Sequence, residues 1–348
     1  MNAPPAGAAG IGDGIRVVNA RALQPAEIAA WSALQKADPV IASPFFRPEF
    51  TSVVAAARSD TLVGIVEESG EFTAFFPFHR DTLGHGRPVG DQLSDYHSIV
   101  ARRGLKLNAC RLLRACGLKD WQFDHLPPGQ GIFERFRSVE TFSPSIHLAG
   151  EGERHEVDYQ RRLRKLEREV GSAAWEWHSA DPAALNQLMQ WKSDQYVKSG
   201  KRDNFSLPWV RQVIEKIHGM EGTDFGGVLS VLRAGGRIAA VHFGIRSGSI
   251  LHSWFPAYDP ALAKLSPGTL LLMGIVLKGP EHGIDCIDLG KGKAFYKERL
   301  TNHTTPLIEG TVPASTIRAT VTMLCSGLKE RLRTAHAWVR PVSTATTD

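Results

Sequence analysis

The sequence predicts an α/β fold with a mixed α+β sheet, built as two pseudo-repeated halves. Three observations carry this. The second half runs through an antiparallel meander, a helix and a buried strand; the first half contains a hairpin, loop, helix and strand in the same order; and 348 residues exceed one ordinary domain, pointing to two that each bury a core.

In the second half, Val228 to Arg233, Arg237 to Arg246 and Ser249 to Phe255 are β-rich runs separated by Ala234-Gly235-Gly236 and Ser247-Gly248, which makes them a meander. Ser266-Pro267-Gly268 then opens a helix. Serine suits the cap, proline is accepted at the first helical position, and glycine allows close approach of a ligand to the backbone. The apolar run Leu270 to Leu277 continues it until Gly279-Pro280. Two readings stay open: an ordinary capped core helix, or an anion site using the free N–H groups and partial positive charge of a helix N-terminus. Ile284 to Leu289 follows as a buried strand, placing Asp288 beside the loop Gly290-Lys291-Gly292 and then Phe295-Tyr296-Lys297. A tyrosine there is placed to protonate a departing thiolate, or is simply a half-buried aromatic.

The first half starts with a flexible stretch at residues 1–14. Leu62 to Glu67 and Phe72 to His79 form a hairpin around Glu68-Ser69-Gly70, followed by a Gly/Pro-rich loop from His85 to Asp91. A helix from Leu105 to Ala115 and a strand from Trp121 to Leu126 complete it, with FDHL standing where IDLG stands later. The chain therefore reads as a divergent internal duplication, divided as 15–150 and 151–315. No SPG precedes the first helix, so the anion site is assigned to the second half. Thr304 to Val312 reads as a closing strand. Residues 316–348 read as an amphipathic helix, Ile317 to Arg333, with a disordered tail.

Between the halves, EVDYQRRLRKLEREVG sets Val157, Leu163, Leu166 and Val170 on one stripe, with Arg161, Arg162, Arg164, Lys165 and Arg168 on the other faces. These cations suit a solvated face partnered by Glu167 and Glu169, contact with an anionic ligand, or contact with nucleic acid. A net charge of +5 is only mildly basic for this length, and no nucleic-acid motif accompanies the cluster. In the helix Pro182 to Ser199, Lys192 and Tyr196 share one face, as do Trp191 and Gln195, so their tips line either an acceptor pocket or the core. Asp95-Tyr96-His97 is a polar triplet in a loop, where binding residues often lie, but an extended segment turns alternate residues apart.

Composition excludes several classes. With 43% hydrophobic and 22% charged residues the chain is that of a globular protein. No apolar run reaches membrane-spanning length and the N-terminus lacks a signal-peptide pattern, so a cytoplasmic location is expected. The four cysteines form no C-x-x-C pair and the 13 histidines show no metal-ligand spacing; free buried thiols and no metal are expected.

SPG-x-LLL, the D-x-G-x-G strand end and the following YK resemble the GNAT-type acyltransferases of the CelD-like group, associated with cellulose and other exopolysaccharide synthesis. That group is similar to the Fem-type tandem-GNAT transferases. SPFFRPEF, FFPFHR, LSDYHS and WQFDHL extend the resemblance over roughly residues 40 to 305. It implies a tandem GNAT-like acyl-CoA N-acyltransferase fold, an acyl-CoA co-substrate, and a small-molecule or saccharide acceptor received between the halves. On the donor side it places Lys264, Ser266, Gly268, Thr269 and Lys291. On the acceptor side it places Trp191, Lys192, Gln195, Asp95, His97, Trp254, Tyr258 and Lys297. Where the family often has arginine and an acidic residue after the strand, this chain has Lys291 and Lys293. The expected activity is transfer to a sugar or nucleotide-sugar precursor by direct attack on the thioester. The alternatives are Fem-like transfer from aminoacyl-tRNA, which requires RNA binding, or a non-catalytic scaffold in a polysaccharide-synthesis assembly. Backbone N–H groups near His242 and Phe243 would hold the thioester oxygen, Asp288 or His242 through a water would take the acceptor proton, and Tyr296 would protonate the thiolate. Tyr296→Phe is expected to lower turnover by about tenfold or more with little loss of CoA affinity, measured under conditions where chemistry limits the rate.

Overall fold

The strands of both halves join one mixed sheet of 13 strands. The computed structural model describes residues 14–292 and 295–315, without the side chains of residues 152, 153, 295, 296 and 298. The start at 1–13, Lys293, Cys325, the helix expected from Ile317 to Arg333 and the side chain of Tyr296 lie outside the described residues.

The strands in chain order are β1 Ile15–Asn19, β2 Thr61–Glu68, β3 Glu71–Arg80, β4 His85–Arg87, β5 Val100–Ala101, β6 Asp120–Leu126, β7 Arg137–His147, β8 Ala173–Glu176, β9 Gly226–Ala234, β10 Arg237–Ser247, β11 Ile250–Tyr258, β12 Cys286–Asp288 and β13 His303–Pro313. The α-helices are α1 Pro25–Ala37, α2 Pro48–Ala57, α3 Ala109–Ala115, α4 Gly131–Glu134, α5 Glu151–Val170, α6 Pro182–Lys198, α7 Pro208–His218, α8 Pro267–Lys278 and α9 Phe295–Leu300. The expected hairpin is β2–β3, and the expected meander is β9–β10–β11, antiparallel throughout.

The order across the sheet is β1-β2-β3-β4-β6-β13-β7-β12-β11-β10-β9-β8, with β5 on β3. The two halves exchange their last strands. β7, from the first half, pairs with β12 of the second from His147↔Cys286 to Ser145↔Asp288; β13, from the second, pairs with β6 of the first from Ile308↔Leu126 to Pro313↔Asp120. β7 and β13 also pair with each other, from His303↔Ser145 to Gly310↔Arg137. The strand expected to close the second half is thus seated in the middle of the sheet.

Three apolar clusters support this sheet. One joins Trp31, Phe45 and Phe75 of the first half to Leu188, Phe205, Phe243 and Trp254 of the second, so the halves share a core as well as each having their own. The others gather around Phe76, Leu112 and Trp121 of the first half with Val312 of β13, and against α8, around Leu251, Leu271, Ile275 and Ile287 with Ile146 of β7. α5 packs on the α8 cluster through Tyr159, Leu163, Leu166 and Val170, at i, i+4, i+7 and i+11. Val157, expected on that stripe, is 78% exposed; Tyr159 takes the place because its ring faces the cluster two residues further on.

The β7–β13 contact is tight at Gly310, where the register shifts; a Cβ there would stand 2.2 Å from Phe136 O and 2.7 Å from Phe123 Cζ. Gly310→Ala is expected to cost about 1–3 kcal/mol of stability, by analogy with overpacked cores, read as a lowered urea midpoint with unchanged slope.

Candidate active site

β11 and β12 run parallel and stay paired only from Ile250↔Cys286 to His252↔Asp288. Beyond that point they part, and among the described residues Ser253 to Tyr258 has no strand on its β12 side. Trp254 is the extra residue of a bulge, because Phe243 pairs with Phe255 and Gly244 with Ser253. The backbone near His242 and Phe243 was expected to be open. It is instead paired on both sides, His242 with Ser230 and Pro256, so the unpaired strand edge belongs to β11.

A loop of the first half enters where the strands part. Trp254 Nε1 donates to Leu93 O at 2.7 Å, Tyr96 Oη donates to Asp288 Oδ2, and His252 Nε2 donates to Asp95 Oδ2 at 2.8 Å. Asp288 Oδ1 accepts from Ser143 Oγ at 2.7 Å and from Gly290 N at 2.8 Å. His252 Nδ1 lies 3.7 Å from Asp288 Oδ1, near enough for charge attraction but too far for a hydrogen bond. Burial works against a charge on His252, yet the carboxylates of Asp288 and Asp95 outweigh it and raise its pKa to about 9. Burial would raise Asp288, but His252, Tyr96 and Gly290 hold it down at about 2. The result is a buried imidazolium between two carboxylates, one from each half.

The expected site residues separate into groups around this triad. Asp95 belongs to it, and Trp254 anchors the entering loop. His242 is buried with Nε2 2.8 Å from Ser253 Oγ, and burial lowers it to about 4. Lys297 is buried and donates to Gly290 O at 2.9 Å, tying down the loop after β12. On α6, Lys192 Nζ donates to Gln195 Oε1 at 3.0 Å and stands 5.1 Å from the centre of the Tyr196 ring; burial lowers Lys192 to about 8. Trp191 is half-buried against the shared core. Asp95 and Tyr96 both turn toward the triad, because this segment is irregular rather than a strand, while His97 turns away toward Asp124.

A cleft of ≈370 Å³ lies at the start of α8, lined by Arg161, Arg162, Lys165 and Arg168 of α5 with Lys264 and Ser266. Ser266 adopts φ +51° and its side chain makes no cap bond; the first helical N–H to reach its carbonyl is that of Leu270, at 3.1 Å. The N–H groups of Gly268 and Thr269 are therefore left for a ligand. Gly268 packs beneath the half-exposed Tyr258 ring, which a Cβ would meet at 3.2 Å. Arg161 and Arg162 are paired with Asp158 rather than with Glu167, while Lys165 stands 4.0 Å from the expected Glu169. Lys291, grouped by sequence with these donor residues, stands elsewhere: its ammonium lies 2.6 Å from Glu309 Oε1 and 3.0 Å from Asp124 O, because β13 brings Glu309 across from the other end of the half.

Sequence reasoning did not single out Ser143, nor His125 with Asp124. One signal was available. Asp124 in FDHL occupies the repeat position of Asp288 in IDLG.

Residues 154–298 match the family described as acetyltransferase (GNAT) domain. Among curated proteins, none matches the chain in sequence. Among solved structures, FemX has a similar fold, with a TM-score of 0.57 at 8% identity over 85% of this chain and 98% of that one. So does L-PGS from Bacillus licheniformis, with 0.51 at 11% identity over 88% and 96%. The C-terminal domain of a protein named for lysylphosphatidylglycerol synthesis, from Agrobacterium fabrum, gives 0.54 at 13% over 86% and 96%. The match of residues 154–298 to a GNAT acetyltransferase domain supports an acyltransferase, and the likeness to these structures is one of fold. No helix among the described residues is long and apolar enough to cross a membrane.

The triad makes stability depend on pH. His252 is raised above the ordinary value of about 6.5, so its contribution is full below pH 6.5 and is lost as pH rises through about 9. Asp288 is depressed, so its contribution is full above about pH 4 and is lost as pH falls through about 2. His252→Asn is expected to lower stability by about 2–3 kcal/mol near pH 6, since two part-buried carboxylates lose their cation, and to flatten the fall in Tm between pH 6.5 and 9. Circular dichroism melts across that range check both.

Proposed function

We propose that the chain is an acyl-CoA-dependent N- or O-acyltransferase acting, in the bacterial cytoplasm, on a sugar or nucleotide-sugar precursor of cellulose or another exopolysaccharide. The observation that supports the donor is the cleft at α8: five cations beside two free helical N–H groups, at the end of β11 whose edge is unpaired from Ser253 to Tyr258. An extended thioester with a phosphorylated head fits this layout, its head at Arg168 and Lys264, its amides along β11 and its acyl carbon near His252 and Asp288. The pathway rests on the resemblance of residues 40 to 305 to the CelD-like group.

Transfer proceeds by direct attack. The acceptor nitrogen or oxygen adds to the thioester carbon, its proton passes to a base, the C–S bond breaks, and the thiolate takes a proton from Tyr296. Cys286 of β12 is half-buried and its thiol is pushed up to about 12, which leaves it a poor nucleophile for an acyl-enzyme. Asp288 was the expected base, but its oxygens already accept from Tyr96, Ser143 and Gly290 and it holds its proton only near pH 2. The structure therefore favours Asp288 as the counter-ion of His252.

Transfer from aminoacyl-tRNA, with FemX among the fold neighbours, is the competing reading. One titration separates the two. Acetyl-CoA at a hundred times its dissociation constant is expected to stabilise the protein by about 2.7 kcal/mol in thermal melts. Arg168→Glu with Lys264→Glu is expected to weaken that binding at least about tenfold, since neither cation has an ion-pair partner among the described residues and both face the cleft. A shift with charged tRNA and none with acetyl-CoA would replace the donor; no shift with either would leave the scaffold.

A further inference from the structure

A second cleft, of ≈950 Å³, opens on the first-half side of the sheet, between the loop from Arg87 to His97, the end of β6, β13 and the segment preceding α7. Its walls are polar, with Gln92, Gln122 and Asn204, and Trp209 offers a flat face on which Arg58 stacks at 4.8 Å. Arg58 and Arg87 are both paired with Asp91, whereas Arg202 at the rim has no carboxylate partner among the described residues.

Asp124 and His125 lie on the wall of this cleft. His125 Nδ1 stands 2.8 Å from Asp124 Oδ1, so the ring donates there and keeps its lone pair on Nε2. That Nε2 is 3.7 Å from Asp95 Oδ1, and the other oxygen of Asp95 holds His252. His125 therefore lines the cleft and is one carboxylate away from the place where β11 and β12 part. No other described histidine joins the two.

Building on the donor reading above, we infer that this cleft receives the acceptor, a hydroxyl-rich sugar carrying an anionic group met by Arg202, and that His125 takes the proton from its attacking amine or hydroxyl. A proton arriving on Nε2 leaves the ring with Asp124 at Nδ1 and Asp95 near Nε2, which stabilises the imidazolium as it forms. The other groups around the ring are His97, buried and lowered to about 4 so that it stays neutral, and Lys291, whose charge is 3.9 Å from Asp124 Oδ2 and is shared with Glu309. Asp124 is a positioning residue, fixing the tautomer. The donor atoms of His97, Asp124 and His125 lie within 4.8 Å of one another, a spacing a divalent ion can bridge, but the Lys291 ammonium beside Asp124 favours the hydrogen-bonded pair.

Glucosamine 6-phosphate combines amine, hydroxyls and phosphate and serves as the probe, with acetyl-CoA as donor. Calorimetry is expected to show that it binds, and Arg202→Ala to raise its KM at least about fivefold, with a smaller effect on kcat. His125→Asn is expected to lower kcat at least about a hundredfold, to leave KM for the sugar within about threefold, and to abolish the acidic limb of the pH–rate profile. Asp124→Asn is expected to move that limb to lower pH. The acetyl-CoA melting shift stays the same in all three variants; its absence in the wild type would sink the donor reading instead. No binding of the sugar phosphate overturns the acceptor class. An intact kcat and acidic limb in His125→Asn removes the base, and activity lost to a chelator and restored by zinc reassigns the three side chains to a metal.

Discussion

The ion triad of the buried His252 with Asp95 and Asp288 is the constraint on which the rest of the arrangement depends. A charged imidazole in the interior is costly unless both of its sides are neutralised, and here one carboxylate comes from each half. Seating Asp95 fixes the loop that carries it, and that loop delivers Leu93 O to the Trp254 indole and Tyr96 Oη to Asp288. The same loop then sends His97 the other way, to Asp124. One ion cluster thus sets the mouth of β11 and β12, the joint between the halves and one wall of the second cleft.

The strand exchange gives that joint its stiffness. With β7 on β12 and β13 on β6, no sheet edge is left between the halves, and neither half can leave without breaking a full ladder of hydrogen bonds. The aromatic core that includes Trp31, Phe45, Phe205 and Trp254 adds apolar burial across the same plane. Residues of the two halves that face this joint keep a fixed separation, which a transferase needs because donor carbon and acceptor nucleophile must meet at contact distance.

What the sequence made legible was local. The meander, the SPG helix start and the IDLG strand each depend on neighbours within a few residues, and the structure places all three where periodicity and turn residues put them. What it hid was long-range pairing. Nothing in NHTTPLIEGTVP, from Asn302 to Pro313, says that the strand inserts between β6 and β7, and that insertion is what draws Lys291 to Glu309 and away from α8. Asp288 looked like a base because its hydrogen-bond donors, Tyr96 and Ser143, are far away in the chain. Val157 was placed on the buried stripe of α5 because an aliphatic side chain outranked Tyr159 in a pattern that does not see the ring's packing.

The charge distribution gives the two ends of β11 opposite character. At one end Arg161, Arg162, Lys165, Arg168 and Lys264 surround the start of α8; at the other, Asp95 and Asp288 leave the triad with a net negative charge even with His252 protonated. A donor with an anionic head and a neutral acyl end has one favourable orientation along such a strand, because reversing it sets phosphates against carboxylates. The same negative end is suited to a nucleophile that sheds a proton, since the positive charge developing on its base is met by fixed carboxylates already in place. Such a donor and such a nucleophile would both be served by one gradient, and that gradient exists because the carboxylates tying the halves together stand at the opposite end of β11 from the basic helix that links them.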